Sequence, residues 1–324
     1  MQLFNGPQFI NWNYTYVCNL KCKHCYSRAT RYPRELSTDR YLEIAEDIIS
    51  AGVFTVAFGG GEPLYRKDIY RIGRVLSKGG VALYLTTNGW YLDQERAQEL
   101  SDAGFRRVLV SIDSANERLN DDIRGAESFD KAKDAVGLCQ RAGILRTGIS
   151  CVLSKETIGD ARRMVELAAE IGADEVEFKK FRPSGLGLVN RLRFELPDDV
   201  AVDINELKSE GKNLGVAVSV IGFSAFDEAK ICACGWRSLC LRPNGDLTHC
   251  SYTDMVCGSL AEARLEDVWR NSELLAKVRQ NGGCEAMNGA VAPSNPALKE
   301  RMGGSERSQA TVNEPLLAGP VVPS

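Results

Sequence analysis

Six short apolar strands alternate with amphipathic helices in the first 181 residues, and this alternation constrains the fold more than any other feature. The strands are expected at 9–17, 53–58, 81–87, 107–113, 146–153 and 175–181. The helices are expected at 37–52, 66–78, 92–103, 128–143 and 157–172. Because parallel strands need long crossover connections, which are usually helices, this order predicts an α/β fold built on a parallel sheet.

Segments rich in cysteine, glycine and polar residues follow the ends of these strands, namely a cysteine loop, GGGEP, TTNGW, SIDS and RPSG. In a βα barrel the carboxyl ends of all strands lie on one face, where their loops form the active site. Six units are fewer than the eight of a closed barrel, so we expect a partial (β/α)6 TIM-like barrel. A doubly wound open sheet is the alternative architecture.

Eleven cysteines and only two histidines, His24 and His249, narrow the chemistry of the chain. Three of the cysteines, Cys18, Cys22 and Cys25, share one loop with the spacing C-x3-C-x2-C. Ligation that is rich in thiolate and poor in histidine favours an iron–sulfur cluster over zinc. Three thiolates would leave one iron without a protein ligand. A zinc knuckle that uses His24, or buried cysteines that bind no metal, are the alternatives.

The spacing C-x3-C-x2-C followed by Tyr26 resembles the radical S-adenosylmethionine (SAM) enzymes, and the resemblance extends over residues 9–182. It implies that Cys18, Cys22 and Cys25 hold a [4Fe-4S] cluster whose remaining ligands are the amino nitrogen and carboxylate of SAM. It also implies an enzyme that cleaves SAM by one-electron reduction into methionine and a 5′-deoxyadenosyl radical. That radical abstracts hydrogen from a substrate, so the hard chemistry belongs to the cofactor.

Further motifs stand in the order that is typical of this family, each after a predicted strand. The resemblance implies SAM binding by Tyr26, Gly59, Gly60, Gly61, Glu62, Asn88, Ser111, Asp113, Arg124 and Arg182. Glycines let the backbone approach a ligand closely, while Glu62 and Arg124 offer opposite charges to the ammonium and carboxylate groups of SAM. Each of these residues also has a purely structural interpretation. The glycines would suit a tight turn, and Arg124 could form a surface ion pair. Asn88 and Ser111 could be turn or helix-capping residues.

A second group of cysteines lies in CACGWRSLCLRPNGDLTHCSY (232–252) and the segment after it. This stretch is similar to the auxiliary-cluster domain of the same family, of the SPASM or shorter twitch type. The resemblance implies one auxiliary [4Fe-4S] cluster, with candidate ligands Cys234, Cys240, Cys250, and Cys257 or Cys284. Cys232 competes with Cys234 for the first position, and a zinc site is the alternative. The remaining cysteines, Cys139 and Cys151, are interpreted as small buried apolar residues.

Three segments are expected along the chain. Residues 1–196 form the partial barrel, 197–284 form a small α+β auxiliary domain of twitch type, and 285–324 form a disordered tail. The auxiliary segment is expected to contain a helix at 198–213, a strand at 216–223, a hairpin of 239–242 with 246–250, and one helix over 260–280. His249 lies among the cluster cysteines and is interpreted as structural, and no catalytic acid or base is assigned.

Charge and hydropathy exclude several kinds of partner. The net charge is −3, with positive and negative residues interspersed, which argues against a nucleic-acid partner. No apolar run approaches the roughly 20 residues that span a bilayer, and the N-terminus lacks the features of a signal peptide. We therefore expect no membrane association and a cytoplasmic protein, with an electron donor such as flavodoxin or ferredoxin as its protein partner.

The substrate is expected to be a natural-product precursor. RELST (34–38), GGGEP and RPSGLG (182–187) are most similar to peptide maturases of the mycofactocin type, which the resemblance associates with oxidative decarboxylation. The chain begins directly at the first strand, without an N-terminal leader-binding domain, and this favours a small molecule. We therefore expect an oxidoreductase or lyase that decarboxylates or dehydrogenates a sugar- or nucleoside-type compound in antibiotic biosynthesis. Maturation of a ribosomal peptide, by decarboxylation, crosslinking or epimerisation, is the alternative. A more distant alternative is that the chain is a metal-binding protein without catalytic activity.

Overall fold

A computed structural model describes residues 5–27, 34–197, 200, 203–222 and 233–280. Two of the cysteines considered above, Cys232 and Cys284, lie outside the described residues, and so does the segment 285–324. None of the helices in the described ranges is both long and apolar enough to cross a membrane.

One mixed sheet of ten strands runs through the described chain, in the order β10-β9-β8-β1-β2-β3-β4-β5-β6-β7. Strands β1 to β7 are parallel neighbours in sequence order, β8 adds to β1 in parallel, and β9 and β10 follow as antiparallel strands. The strands are β1 (Phe9–Thr15), β2 (Thr55–Gly60), β3 (Ala82–Thr87), β4 (Phe105–Ser111), β5 (Arg146–Leu153), β6 (Glu175–Lys180), β7 (Ala217–Ile221), β8 (Ser238–Leu241), β9 (Asp246–Thr248) and β10 (Val256–Ser259).

Helices connect the parallel strands, as crossover connections require. Between β1 and β7 they are α1 (Thr38–Ser50), α2 (Ile69–Lys78), α3 (Gln94–Asp102), α4 (Glu117–Arg124), α5 (Ser128–Arg141), α6 (Ala161–Glu170), the single turns α7 (Leu186–Val189) and α8 (Arg191–Phe194), and α9 (Ile204–Leu214). Two further helices, α10 (Leu265–Asn271) and α11 (Glu273–Gln280), follow β10. Short 3₁₀ turns lie at Pro63–Tyr65 and Ile158–Asp160. The order of elements confirms the predicted α/β fold with its mostly parallel sheet.

Helix α1 illustrates how local sequence produces these elements. The Ser37 hydroxyl accepts a hydrogen bond from the Arg40 backbone N–H, and so caps the first turn. The buried residues of the helix fall on one stripe at helical spacing, and they are Tyr41, Ile44, Ala45 and Ile48. That stripe packs on the sheet, which is why the sequence pattern predicts this helix to within one or two residues.

The C-terminal part of the sheet differs from the prediction in two ways. Strand β7 pairs with β6, and β8 pairs with β1, so the sheet continues past residue 197 on both of its edges. The predicted single helix over 260–280 is wrong, because α10 ends at Asn271 and α11 starts at Glu273. Ser272 breaks the helix with an extended backbone, and its hydroxyl caps α11 by accepting from the Leu275 N–H. The domain boundaries near 197 and 284 stay predictions.

Several short elements escaped the sequence analysis, among them α4, the single turns α7 and α8, and β10. Helix α4 has a polar sequence, ERLNDDIR, with little apolar periodicity, and is identified locally by the Asn116 side chain, which caps it. Strand β10 has four residues, too few for an alternation to be recognised.

An aromatic cluster anchors β1 to the helical layer beside it. The Trp12 ring contacts Tyr14, Tyr41 and Phe58, with ring centroids 5.4, 5.0 and 5.5 Å away. All four side chains are essentially inaccessible to solvent. Within the described ranges the indole N–H of Trp12 has no hydrogen-bond partner, so we attribute its contribution to packing.

We predict that Trp12→Ala lowers the free energy of unfolding by about 3–5 kcal/mol, because it removes a large buried side chain and leaves a cavity. Trp12→Phe keeps most of the ring volume and removes only an unpartnered N–H, so its cost is expected to be much smaller. Urea unfolding of the anaerobically purified protein, followed by far-UV circular dichroism, measures both. Equal losses in the two variants would contradict the packing role.

Candidate functional site

The sequence motifs meet at one edge of the parallel sheet. The cysteine loop leaves β1, GGGEP ends β2, Asn88 follows β3, the SID segment ends β4, and Arg182 follows β6. Because these strands are parallel, their carboxyl ends share that edge, as expected for the active face of a βα barrel. The structure therefore brings the predicted site residues onto one face of the barrel.

The three cysteines of the first loop lie close enough to affect one another. Burial raises the pKa of the Cys22 thiol to about 12, the Arg124 guanidinium opposes this shift, and the nearby thiols of Cys25 and Cys18 add to it. Neutral thiols at this spacing are poor ligands, whereas bound metal ions keep coordinating thiols deprotonated. The donor set therefore fits an iron–sulfur cluster.

Polar N–H groups surround these sulfurs. The Asn88 side-chain amide approaches the Cys18 sulfur at 3.8 Å, and the Leu20 backbone N–H approaches it at 3.4 Å. An Arg124 Nη1 lies 4.0 Å from the Cys22 sulfur. Such donors match the hydrogen bonds that tune protein-bound clusters.

In the residues that the structure describes, no three Cys, His, Asp or Glu side chains converge on a position for a single metal ion. A [4Fe-4S] cluster instead takes one thiolate at each ligated iron, so its ligands surround it rather than meet at a point. This finding therefore does not count against a cluster.

Two of the three glycines of GGGEP are required by the chain itself. A Cβ on Gly60 would lie 2.8 Å from the Thr15 carbonyl oxygen, and Gly60 also has a φ of +104°. A Cβ on Gly61 would lie 2.3 Å from the carbonyl oxygen of Val17. The Gly61 N–H donates to Thr15 O at 2.7 Å, which joins the end of β2 to the start of the cysteine loop. A Cβ on Gly59 would meet only the Tyr26 hydroxyl, at 3.9 Å, so of the three glycines it has the most room for a ligand.

The Glu62 carboxylate is completely buried and binds groups of the protein. Its Oε1 accepts from the Leu64 N–H at 3.1 Å and from the Thr87 hydroxyl at 2.7 Å, and its Oε2 accepts from the Asn88 N–H at 2.8 Å. Burial raises the pKa of Glu62, and these three donors act in the opposite direction. In this structure the residue joins the β2 and β3 loops, and its contact with the SAM ammonium group stays a prediction.

Asp113 is also fully buried, and it joins three elements. Its Oδ2 lies 2.5 Å from His24 Nε2 and 2.6 Å from Arg124 Nε, the latter as an ion pair without the alignment of a hydrogen bond. Its Oδ1 accepts from the Val152 N–H of β5 at 2.8 Å. Burial alone would raise the pKa of Asp113, but Arg124 and His24 together hold it well below its usual range.

The role of His24 was missed by sequence reasoning, which considered it only as a zinc ligand. The predicted partners of SAM at Asp113 and Arg124 bind each other in this structure, and their contact with SAM stays a prediction. Because His24 lies between Cys22 and Cys25, the buried carboxylate fixes the cysteine loop against the barrel.

The other predicted cofactor residues also lie at this edge. Asn88 donates to the Asn19 side chain at 2.9 Å, and Ser111 ends β4 opposite Ser150 of β5. The Tyr26 hydroxyl donates to the Asn13 side chain at 3.0 Å. Arg182 donates to the Gly222 carbonyl at 3.2 Å. Their roles toward SAM stay predictions.

The second cysteine group is connected to the first by strand pairing. Because β8 pairs in parallel with β1, Cys240 lies opposite Asn11 of β1. The Tyr26 ring of the cysteine loop contacts the Tyr252 ring edge-to-face, with centroids 5.4 Å apart. Both cysteine groups therefore lie beside one aromatic contact.

The candidate auxiliary ligands differ in their surroundings. Cys240 is buried, and burial raises the pKa of its thiol although Ser251 and Thr248 donate to it. Cys257 packs in the main apolar core, and burial raises its pKa to about 11. Cys139 and Cys151 are buried in that same core, as expected of small apolar residues. Cys232 and Cys284, outside the described residues, are not placed.

Comparison with known proteins decides the family. Residues 12–168 match the family model of the radical SAM superfamily, and residues 232–290 match that of the SPASM iron-sulfur cluster-binding domain. The chain is 30% identical over 295 residues to the mycofactocin maturase MftC of Mycolicibacterium smegmatis, covering 85% of this chain and 73% of that protein. The chain belongs to the radical SAM superfamily. This membership implies a [4Fe-4S] cluster, SAM and auxiliary iron–sulfur ligation, as the sequence predicted.

Other similarities agree with this radical SAM assignment. The AdoMet-dependent heme synthase of Methanosarcina barkeri is 26% identical over an alignment of 299 residues. The alignment covers 85% of this chain and 85% of that protein. The crystal structure of Streptococcus suis SuiB bound to the precursor peptide SuiA matches with a TM-score of 0.73 at 17% identity, over 87% of this chain and 72% of that one. That structural similarity confirms the α/β fold, and a partial barrel is consistent with the open sheet.

We predict that Cys22→Ala removes about half of the iron from the anaerobically reconstituted enzyme, because one of two four-iron clusters loses a ligand. Iron per chain and the thiolate-to-iron absorption bands measure this. Cys139→Ala is the matched control, since Cys139 is an equally buried cysteine in α5. Loss of iron in the control, or none in Cys22→Ala, would contradict the assigned ligand.

We predict that Asp113→Asn lowers the free energy of unfolding by about 3–5 kcal/mol, because it leaves the buried Arg124 without its counter-charge. Folding lowers the pKa of Asp113. Its contribution to the free energy of unfolding is therefore present at neutral pH and is lost only as acid protonates the carboxylate. Asp122→Asn is the control: its pair with Lys23 is exposed, and such pairs contribute less than about 1 kcal/mol. Urea unfolding at pH 7 distinguishes the two, and equal effects would contradict the assigned role of Asp113.

Proposed function

We propose that this radical SAM enzyme oxidises a peptide substrate, as a maturase. The observation that carries the proposal is the position of both cysteine groups beside the Tyr26–Tyr252 contact, in a chain similar over most of its length to a maturase. The precursor peptide in the SuiB structure, a neighbour in fold, is further support. A substrate held at this contact would lie between the SAM site and the auxiliary site.

The sequence-based preference for a sugar- or nucleoside-type small molecule gains no support from these relatives. The antibiotic-biosynthesis setting and the lyase class likewise gain none, and neither enters the proposal. The peptide alternative therefore replaces the original preference. A flavodoxin or ferredoxin as electron donor stays a prediction.

The residues of the first loop have defined tasks in this proposal. Cys18, Cys22 and Cys25 would hold the cluster, which when bound supplies the electron for reductive cleavage of SAM. Asp113 holds His24 in place through a buried contact and so fixes the loop between two of these ligands. A fixed loop keeps the reacting groups aligned, and such alignment contributes a large part of enzymatic rate enhancement.

Part of the site is shielded from water, although Cys18 and Cys25 are partly exposed. Cys22, Glu62 and Asp113 are all buried, and burial raises the pKa of Tyr26 well above its ordinary value. A dry site protects reactive species from side reactions. On the other side of the tyrosine contact, Cys234, Cys240 and Cys250 would hold the auxiliary cluster, which supplies an electron acceptor for substrate oxidation.

A second candidate substrate is a tetrapyrrole. It is favoured by the similarity to the heme synthase of Methanosarcina barkeri, of which this chain covers 85%. The two candidates differ in the substrate they require, so they are distinguishable in one assay.

We predict that the reconstituted enzyme, given SAM, dithionite and a synthetic mycofactocin precursor peptide, forms 5′-deoxyadenosine and changes the mass of the peptide. Deuterium carried from labelled peptide into 5′-deoxyadenosine would identify the abstracted hydrogen. The parallel reaction contains iron-coproporphyrin in place of the peptide. Conversion of the porphyrin and not of the peptide would overturn the proposal in favour of the second candidate.

Two variants separate the roles of the clusters in the same assay. Cys22→Ala is expected to abolish 5′-deoxyadenosine formation, because it removes a ligand of the SAM-binding cluster. Cys240→Ala is expected to reduce peptide product more than 5′-deoxyadenosine, because SAM cleavage does not require the auxiliary site. Parallel losses of both products in the two variants would contradict separate roles.

A further inference from the structure

His249 is an unexplained buried group in the auxiliary region. The residue is 1% exposed, yet among the described residues neither of its ring nitrogens has a hydrogen-bond partner. Buried polar groups in folded proteins are nearly always paired, and an unpaired one costs about 1–3 kcal/mol. The sequence interpretation of His249 as a structural residue does not account for this, because a structural role would give the ring at least one partner.

The surroundings of His249 are the candidate cluster ligands. The residue directly precedes Cys250, and its backbone N–H donates to the Cys257 sulfur. Its Cβ lies 3.5 Å from the position that a Cβ would take on Gly235, the residue after Cys234. The backbone and Cβ of His249 therefore lie beside three cysteines of the auxiliary group.

Arg279 approaches the same place with one unused N–H group. Its Nε donates to the Gly235 carbonyl at 2.9 Å, and its Nη1 donates to the Trp269 carbonyl at 3.0 Å. The guanidinium carbon lies 4.2 Å from the centroid of the Trp269 ring, which fixes its plane. The Nη2 atom is buried and has no hydrogen-bond partner in the part of the chain that the structure describes. His249 and Arg279 thus both lie near Gly235 and carry unused hydrogen-bonding groups, and Arg279 is held in place by its other contacts.

We propose that His249 and Arg279 donate hydrogen bonds to sulfur atoms of the auxiliary iron–sulfur cluster and thereby raise its reduction potential. Both are positioning residues in this proposal, and the cluster ligands remain cysteines. Reduction adds one electron and hence one negative charge to the cluster, and N–H donors aimed at its sulfurs stabilise that charge. The inference goes beyond the proposed function, because it holds whether the substrate is a peptide or a tetrapyrrole.

The size of the expected effect follows from how much one hydrogen bond strengthens on reduction. A hydrogen bond to a charged group is stronger than one to a neutral group, so it strengthens when the cluster gains an electron. We expect its removal to change the equilibrium constant for one-electron reduction by about tenfold. A tenfold change is about 59 mV for a one-electron couple.

The test uses the full chain with Cys18, Cys22 and Cys25 replaced by alanine, so that only auxiliary iron remains. Dithionite and mediators supply the electron, and electron paramagnetic resonance follows the reduced cluster during a potential titration. His249→Leu is expected to lower the midpoint potential by about 59 mV while iron per chain stays constant. His249→Gln, which retains an N–H donor, is expected to restore part of the shift.

Trp12→Phe is the matched control, because it too removes a buried N–H that has no partner, in the core beside α1. The midpoint potential of the auxiliary cluster in this variant should equal that of the protein in which only Cys18, Cys22 and Cys25 are replaced. If His249→Leu fails to fold by circular dichroism, His249→Phe, which keeps a ring in the same place, gives the same comparison.

Two results would overturn the proposal. An unchanged potential in the folded apolar variants would mean that His249 faces buried water or protein rather than the cluster. Loss of iron from those variants would mean that His249 is itself a ligand. Neither result depends on peptide turnover, so failure here is distinguishable from failure of the proposed function.

Discussion

The buried contact of Asp113 with His24 and Arg124 is the interaction on which the rest of the site depends. Charged groups are expensive to bury, and this carboxylate repays its desolvation only because two partners and a backbone N–H surround it. Through it the cysteine loop after β1, helix α4 and strand β5 are held in one arrangement. A loop of three cysteines has no regular structure of its own, so it takes its position from this distant carboxylate.

Strand pairing positions the auxiliary region, just as the Asp113 carboxylate positions the cysteine loop. Strand β8 extends the sheet from β1, so the second cysteine group is built on the same rigid element as the first. The Tyr26 ring beside the first group and the Tyr252 ring beside the second then contact each other. Strand β1 thus positions both cysteine groups: the cysteine loop follows its carboxyl end, and the cysteine hairpin pairs along its edge.

Much of this arrangement could be predicted, because the decisive signals are local. Apolar alternation located the strands of the parallel sheet, and the order of short motifs after them predicted that they share an edge. Contacts between distant residues left no such signal: nothing near Asp113 indicates that it meets His24, 89 positions away. The single helix expected over 260–280 failed because its apolar spacing continues through Ser272, where the backbone turns. The burial of Glu62 against the end of β3 is likewise invisible in the motif, and its expected contact with SAM stays a prediction.

The double pairing of β1 has a thermodynamic consequence. With β2 on one side and β8 on the other, this strand leaves the sheet only if both neighbours are released, so the two cysteine groups belong to one cooperative unfolding unit. Any ligand that binds the native form of either group stabilises the native form of both by mass action. Cofactor occupancy at one end of the chain therefore protects the other against local opening and against the proteases that exploit it.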